Sequence, residues 1–264
     1  MRTRIHQSGM TLVELMVGMF IALVALGAGG TLYLSSSQTN RVLQMQNHLT
    51  EDGRFALQML QRLISQAGYR DNPGEARGLG NAHFAVTSGT AFTVGFKADG
   101  TNIMVCDGTT GSSGNQSLVV EQNGNCLQCR ATGGSTGACP STNNNIIDLI
   151  GPLANGLSQG TEVADFRVLY GIDTGPNPTA PEIACGGGSR DCIADSYSAS
   201  LGSATADQVV AVQVCLVLRT ENTEPTLASK AAVRNCANSA DISGSTTDEK
   251  LYRTFRSTIL LRNF

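Results

Sequence analysis

Cys126-Leu127-Gln128-Cys129 has the spacing of a zinc knuckle or a thiol-disulfide site, with Cys139 close behind. A metal centre needs one or two further ligands, yet no second C-x-x-C and no nearby histidine follows. A redox site needs its motif at the opening of a helix, whereas this one sits among glycines and asparagines. Gly133-Gly134-Ser135-Thr136-Gly137 spells the G-x-S-x-G nucleophile pattern. That elbow requires a strand before the serine, a helix after it, and Asp then His downstream. The flanks here are loop-like, and no histidine follows His83. His48 and His83 each stand alone, and Asp173, Asp191 and Asp195 lack the spacing of a calcium loop. These residues read as structural, so no catalytic residue, cofactor or bound metal is expected.

Glu14 differs from all of them. It is the only formally charged side chain between Arg4 and Arg41, and it precedes 20 uncharged residues, Leu15 to Leu34. At about 1.5 Å per residue such a run spans roughly the 30 Å core of a bilayer. A carboxylate inside it costs on the order of a few kcal/mol unless paired, which marks Glu14 as functional. An ordinary secretory signal also has a basic start, an apolar core and small residues such as Ala25-Leu26-Gly27 or Ala28-Gly29-Gly30. Glu14 within the apolar core, and Ser8-Gly9 between the arginines and that core, count against it.

Gly9-Met10-Thr11-Leu12-Val13-Glu14-Leu15-Met16 resembles the processing motif of type IV prepilins. The resemblance implies that prepilin peptidase cuts after Gly9 on the cytoplasmic face and that the new Met10 amine is N-methylated. It also implies that Glu14 meets the terminal amine of a neighbouring subunit within a filament core. A charge pair of that kind sets register more than it adds bulk stability, because breaking it strands a buried charge.

The elements that position this motif follow from the hydropathy pattern. Residues 1–9 form a leader, 10–34 a membrane or filament-core helix, 35–68 its amphipathic continuation and 69–264 a β-rich head. Gly18, Ala22, Ala25 and Gly29 lay a small-residue stripe along one helical face, which lets helices approach closely. Val42, Leu49, Ala56 and Leu63 recur at seven-residue steps, extending the helix to about Ala67, with Gly68 and Pro73 as its stop. Gly53 is a weak point within it.

Strands are expected at His83–Thr87, Ala91–Lys97, Asn102–Cys106, Ser117–Gln122, Asn145–Ile150, Val163–Ile172, Gln208–Arg219 and Leu251–Arg262. In the strand Gln208–Arg219, alternating Val210, Val212, Val214, Leu216 and Leu218 mark a central position under the helix. Residues 107–144 and 173–207, rich in Gly, Ser, Thr and Asn, read as long surface loops.

Arg2 and Arg4 place the leader in the cytoplasm and the body in the periplasm, on a single-pass inner-membrane protein. All eight cysteines, Cys106, Cys126, Cys129, Cys139, Cys185, Cys192, Cys215 and Cys236, then lie in an oxidising compartment and read as disulfides. Sequence alone leaves their connectivity open. Pairing of neighbours is the expectation: 106 with 126, 129 with 139, 185 with 192, and 215 with 236. The formal charge of −3 becomes −5 on loss of the two leader arginines, so general nucleic-acid binding has no electrostatic support.

Four further stretches, Gly53-Arg54-Phe55-Ala56-Leu57-Gln58-Met59-Leu60 through Gln66-Ala67-Gly68-Tyr69, Phe166-Arg167-Val168-Leu169-Tyr170-Gly171-Ile172-Asp173, the long strand ending Leu218-Arg219, and Tyr252-Arg253 through Leu261-Arg262-Asn263, resemble the PilW type of minor pilin. That resemblance implies an α+β type IV pilin-like fold, with a long N-terminal helix packed on a mainly antiparallel sheet head with disulfide-tied loops. It implies a non-enzymatic role near the pilus tip, in adhesion, twitching motility or DNA uptake. The partners implied are prepilin peptidase, other minor pilins, the major pilin, the inner-membrane assembly platform and a tip adhesin. A type II secretion pseudopilin of the J type shares the motif and architecture. A periplasmic enzyme or binding protein held by an uncleaved signal anchor is the alternative of a different class.

Overall fold

Helix α1, Leu12–Ser65, carries two kinds of surface. The computed structural model describes residues 11–70, 83–132, 137–141, 143, 145–152, 160–175, 190–225 and 232–262. The chain divides into two compact units between Gln44 and Met45. Apart from half-buried Val42, the apolar helical residues within the first unit are exposed, Leu12 and Leu26 more than 70% so, at 76% and 73%. Within the second, the helix buries Leu49, Gly53, Ala56, Met59, Leu60, Leu63 and Ile64, the three- and four-residue spacing of a single covered stripe. The helix closes at Ser65. Gly68 then adopts φ +74°, a left-handed conformation that glycine takes without steric cost, and donates its N–H to the Gly95 carbonyl at 2.8 Å.

Among the described residues, nine strands follow in two antiparallel sheets. The first has the order β1-β2-β3-β4-β5, from Phe84–Ser88, Ala91–Ala98, Gly114–Asn123, Cys126–Ala131 and Ile146–Ile150. The second has the order β7-β6-β8-β9, from β6 Thr161–Ile172, β7 Ser196–Ser198, β8 Val209–Thr220 and β9 Tyr252–Leu260. The expected α+β class, with a long N-terminal helix, antiparallel sheets and disulfides, is therefore what the chain adopts. One buried cluster combines Leu49, Ala56, Leu60 and Leu63 of the helix with Phe92 and Phe96 of β2 and with Val212, Val214, Leu216 and Leu218 of β8. Burying each such large side chain contributes roughly 1.5–3 kcal/mol. The central position expected for β8 holds.

The open flank of β6 is closed by turns of the first sheet. Val163 and Val168 donate N–H bonds to the carbonyls of Asn125 and Gly89, and Phe166 donates to Gln122 Oε1, at 2.8–2.9 Å. These bonds satisfy backbone groups that an uncovered edge would offer to another chain. The Tyr170 hydroxyl donates to the carbonyls of Ser88 and Ala91, while its ring meets Phe84 edge-on. Burial pushes the Tyr170 phenol well above the ordinary range.

Three expectations are corrected. Asn102–Cys106 forms no strand; it contributes only an isolated bridge between Met104 and Thr110. The segments read as loops contain β4 and the short β7. The cysteine pairing also differs: Cys106 bonds Cys129 and Cys126 bonds Cys139, not 106 with 126 and 129 with 139. The reason is β4. Cys126 and Cys129 are three residues apart on a strand, so they point to opposite faces. Cys129 joins Cys106 in the main core, leaving Cys126 to Cys139. Cys215 bonds Cys236 as expected. Cys192 is disulfide-bonded, while Cys185 lies outside the described residues.

Gly53 proves to be a packing site. A Cβ there would collide with the ring of Phe255 on β9, which sits directly over the helix backbone. Gly53→Leu should therefore destabilise the fold by about 1–3 kcal/mol through overpacking. Denaturation of the single and double variants checks this: adding Phe255→Ala should recover part of the loss, and strict additivity would contradict the contact.

Candidate functional site

The first turn of α1 is built by a reciprocal pair. Thr11 precedes the helix, and both its N–H and its hydroxyl lie 3.2 Å from Glu14 Oε2, to which they donate. Glu14 returns its own N–H to Thr11 Oγ1 at 3.3 Å. Thr11-Leu12-Val13-Glu14 is thus a capping box, in which side chains satisfy amides left without partners by the helical ladder. The positive end of the helix dipole favours a carboxylate there as well. Glu14 Oε1 has no partner among the described residues, and the side chain is exposed.

This geometry gives the lone carboxylate a local holding position and leaves one oxygen open to an incoming donor. The capping signature, threonine three residues before glutamate, is legible in the sequence but was missed there, because the apolar run around it draws the reading towards charge alone. Gly9 and Met10 lie outside the described residues. Around the helix, a Cβ added at Gly18 or Gly29 would meet nothing within 4 Å among the described residues. Ala22 and Ala25 share their face, and both are exposed. This is the one described helix long and apolar enough to cross a membrane.

The remaining sequence candidates fall into structural roles. Cys126 and Cys129 are oxidised in separate disulfides. Between them Gln128 is fully buried and donates to Asp148 and to the Ala138 carbonyl, fastening the adjoining loop to β4. His48 is exposed on the helix. His83 is buried, with Nε2 3.1 Å from the Val209 carbonyl and Nδ1 3.8 Å from the Asp207 carboxylate. Asp173 accepts the N–H of Cys192, Asp191 that of Ile193, and Asp195 both the N–H and hydroxyl of Thr174. Those bonds to Thr174 hold the Asp195 carboxyl below its ordinary range. Gly133 to Thr136, the body of the G-x-S-x-G match, lie outside the described residues. No three His, Cys, Asp or Glu side chains gather as a metal site among the described residues.

Thr11→Val deletes the hydroxyl while preserving the shape of the side chain. Losing the cap costs about 0.5–2 kcal/mol, roughly a 2- to 30-fold rise in amide exchange over the first helical turn. Hydrogen exchange on the detergent-solubilised chain should show this at residues 12–15 and leave 20–24 unchanged. Unchanged exchange at 12–15 would contradict the capping box.

Comparison with known proteins places these features. Residues 4–30 match the prokaryotic N-terminal methylation motif. Residues 92–263 match the family described as type IV pilus-assembly protein W, PilW. A type IV-like pilin from Thermus thermophilus is similar in structure at 15% identity and a TM-score of 0.45, covering 81% of this chain and 97% of its own. No curated protein matches. With more than half of its length matched by that family, and a methylation motif on its apolar helix, the chain belongs to the PilW family of type IV pilus-assembly proteins.

Proposed function

We propose that this protein is a minor pilin, cut by prepilin peptidase between Gly9 and Met10 and methylated on Met10. It then joins other minor pilins at the inner membrane to prime pilus assembly and stays near the tip. The leader lies in the cytoplasm, residues 10–34 form the membrane-spanning and later filament-core segment, 35–68 continue the stalk, and the head occupies the periplasm. The protein acts as a structural subunit, without catalysis, cofactor or metal.

The observation that carries this reading is the state of Glu14. Its carboxylate is held by Thr11 through one oxygen and offers the other, at the start of a run with no other charge. In the membrane the capping box lowers the cost of carrying that carboxylate. On assembly, the methylated Met10 amine of a neighbouring subunit supplies a cation. Both charges then leave water as a pair, and an unmatched register strands one of them. The stripe Gly18, Ala22, Ala25 and Gly29 gives neighbouring helices room to approach. The cysteines brace the head in an oxidising compartment, and its loops meet the other pilins, the assembly platform and an adhesin.

A type II secretion pseudopilin of the J type would share the helix and the architecture, but the match over residues 92–263 is to a pilus-assembly family, which supports the pilus reading. Deleting the gene and complementing it with variants tests the proposal. Loss of surface pili with secretion intact is expected; lost secretion with normal pili would overturn it. Glu14→Gln keeps an oxygen for the Thr11 N–H but removes the charge, so it should fail to restore pili. Thr11→Val keeps the charge and should restore them.

A further inference from the structure

The outer face of the second sheet, turned away from α1, carries an unclaimed pair of arginines. Register places Arg167 of β6, Cys215 of β8 and Arg256 of β9 in one row across three strands. With strands about 4.8 Å apart, the two arginine Cα atoms stand roughly 10 Å from each other, flanking the disulfide. They line a cleft of about 590 Å³, with Tyr197 and Gln213 on its walls and Cys236 closing one side. Among the described residues, no aspartate or glutamate lines it.

Neither guanidinium is neutralised. Arg167 has no hydrogen-bond or ion-pair partner among the described residues, and Arg256 reaches only the Cys236 carbonyl, at 3.5 Å. Asp165, two residues before Arg167 on β6, spends one carboxylate oxygen on the Cys236 N–H at 2.6 Å. Four other head cations are paired with carboxylates, Arg130 with Glu121, Arg219 and Lys250 with Glu162, and Arg234 with Asp241, while Arg190 and Arg253 donate to a backbone carbonyl and a hydroxyl. The cleft is therefore a locally positive recess on an acidic chain, with walls fixed by a disulfide and by two paired strands.

We propose that this cleft receives the carboxylate of an acidic segment on a partner protein. Two guanidiniums on neighbouring sides of one recess can each present a planar fork of donors to a carboxylate, with Gln213 offering an amide beside them. Arginine and tyrosine are both enriched at interfaces, arginine for its planar fork of donors and tyrosine for the large area it buries at low conformational cost. Tyr197, 43% exposed, provides that area at the mouth of the cleft. Bracing by Cys215–Cys236 fixes the walls before the partner arrives, which lowers the ordering cost of binding. The inference concerns the isolated head surface and stands whether or not the filament role does.

Full-length protein in detergent, labelled with ¹⁵N-arginine, tests it by titration with a tetraglutamate peptide. Saturable shifts of the Arg167 and Arg256 side-chain signals are expected, with affinity falling at least tenfold in Arg167→Gln/Arg256→Gln. The control Arg41→Gln/Arg54→Gln, on exposed helical sites, should bind as wild type does, and tetraglutamine should produce no shift. Equal response of every arginine signal, or undiminished binding by the Arg167→Gln/Arg256→Gln variant, would overturn the site. Glucuronate binding as tightly as the peptide would overturn the protein partner in favour of a small acidic ligand.

Discussion

Helix α1 must send apolar residues to two destinations, and the placement of every other element answers to that constraint. Its second stretch repeats an apolar stripe at helical spacing, and the strands supply the cover: Phe92 and Phe96 of β2, and Val212, Val214, Leu216 and Leu218 of β8. Its first stretch is apolar all round and has no such cover within its own unit. A helix of that composition is stable in lipid or among like helices and is a liability in water. The chain therefore carries a folded head and an apolar surface that requires surroundings it does not itself provide.

Within that apolar surface Glu14 sets the chemistry. A carboxylate cannot be left bare in a membrane core, and the fold answers with Thr11, whose amide and hydroxyl both turn to one carboxylate oxygen. Such a cap is worth little against a full countercharge. It can therefore hold the side chain and still yield it to a stronger partner, as the proposed role of Glu14 requires.

The head was partly legible in the residues. Val212, Val214, Leu216 and Leu218 alternate so strictly that β8 could be placed before any coordinates, and Leu49, Ala56 and Leu63 marked the covered face of the helix. β4 was missed because Cys126-Leu127-Gln128-Cys129 draws attention to its sulfurs. Yet Gly124-Asn125 before it is a two-residue hairpin signal, and Gly124, its first turn residue, does take φ +56°. Missing that strand also misplaced two disulfides, since strand alternation is what separates Cys126 from Cys129. Gly53, read as a weakness, marks the place where Phe255 needs the helix backbone bare; a contact between residues so far apart in the chain leaves no local trace. The Arg167–Cys215–Arg256 row was hidden for the same reason, because it exists only once three distant strands are in register.

The central claim is that the apolar helix begins at a processed amine four residues before its one carboxylate. The mass of the N-terminal peptide, measured on protein isolated from piliated cells, tests it most directly. The account predicts a chain beginning at N-methylated Met10, with residues 1–9 gone. A peptide that retains the leader, or one that begins after Gly27 or Gly30 as an ordinary secretory signal would leave it, would contradict the account.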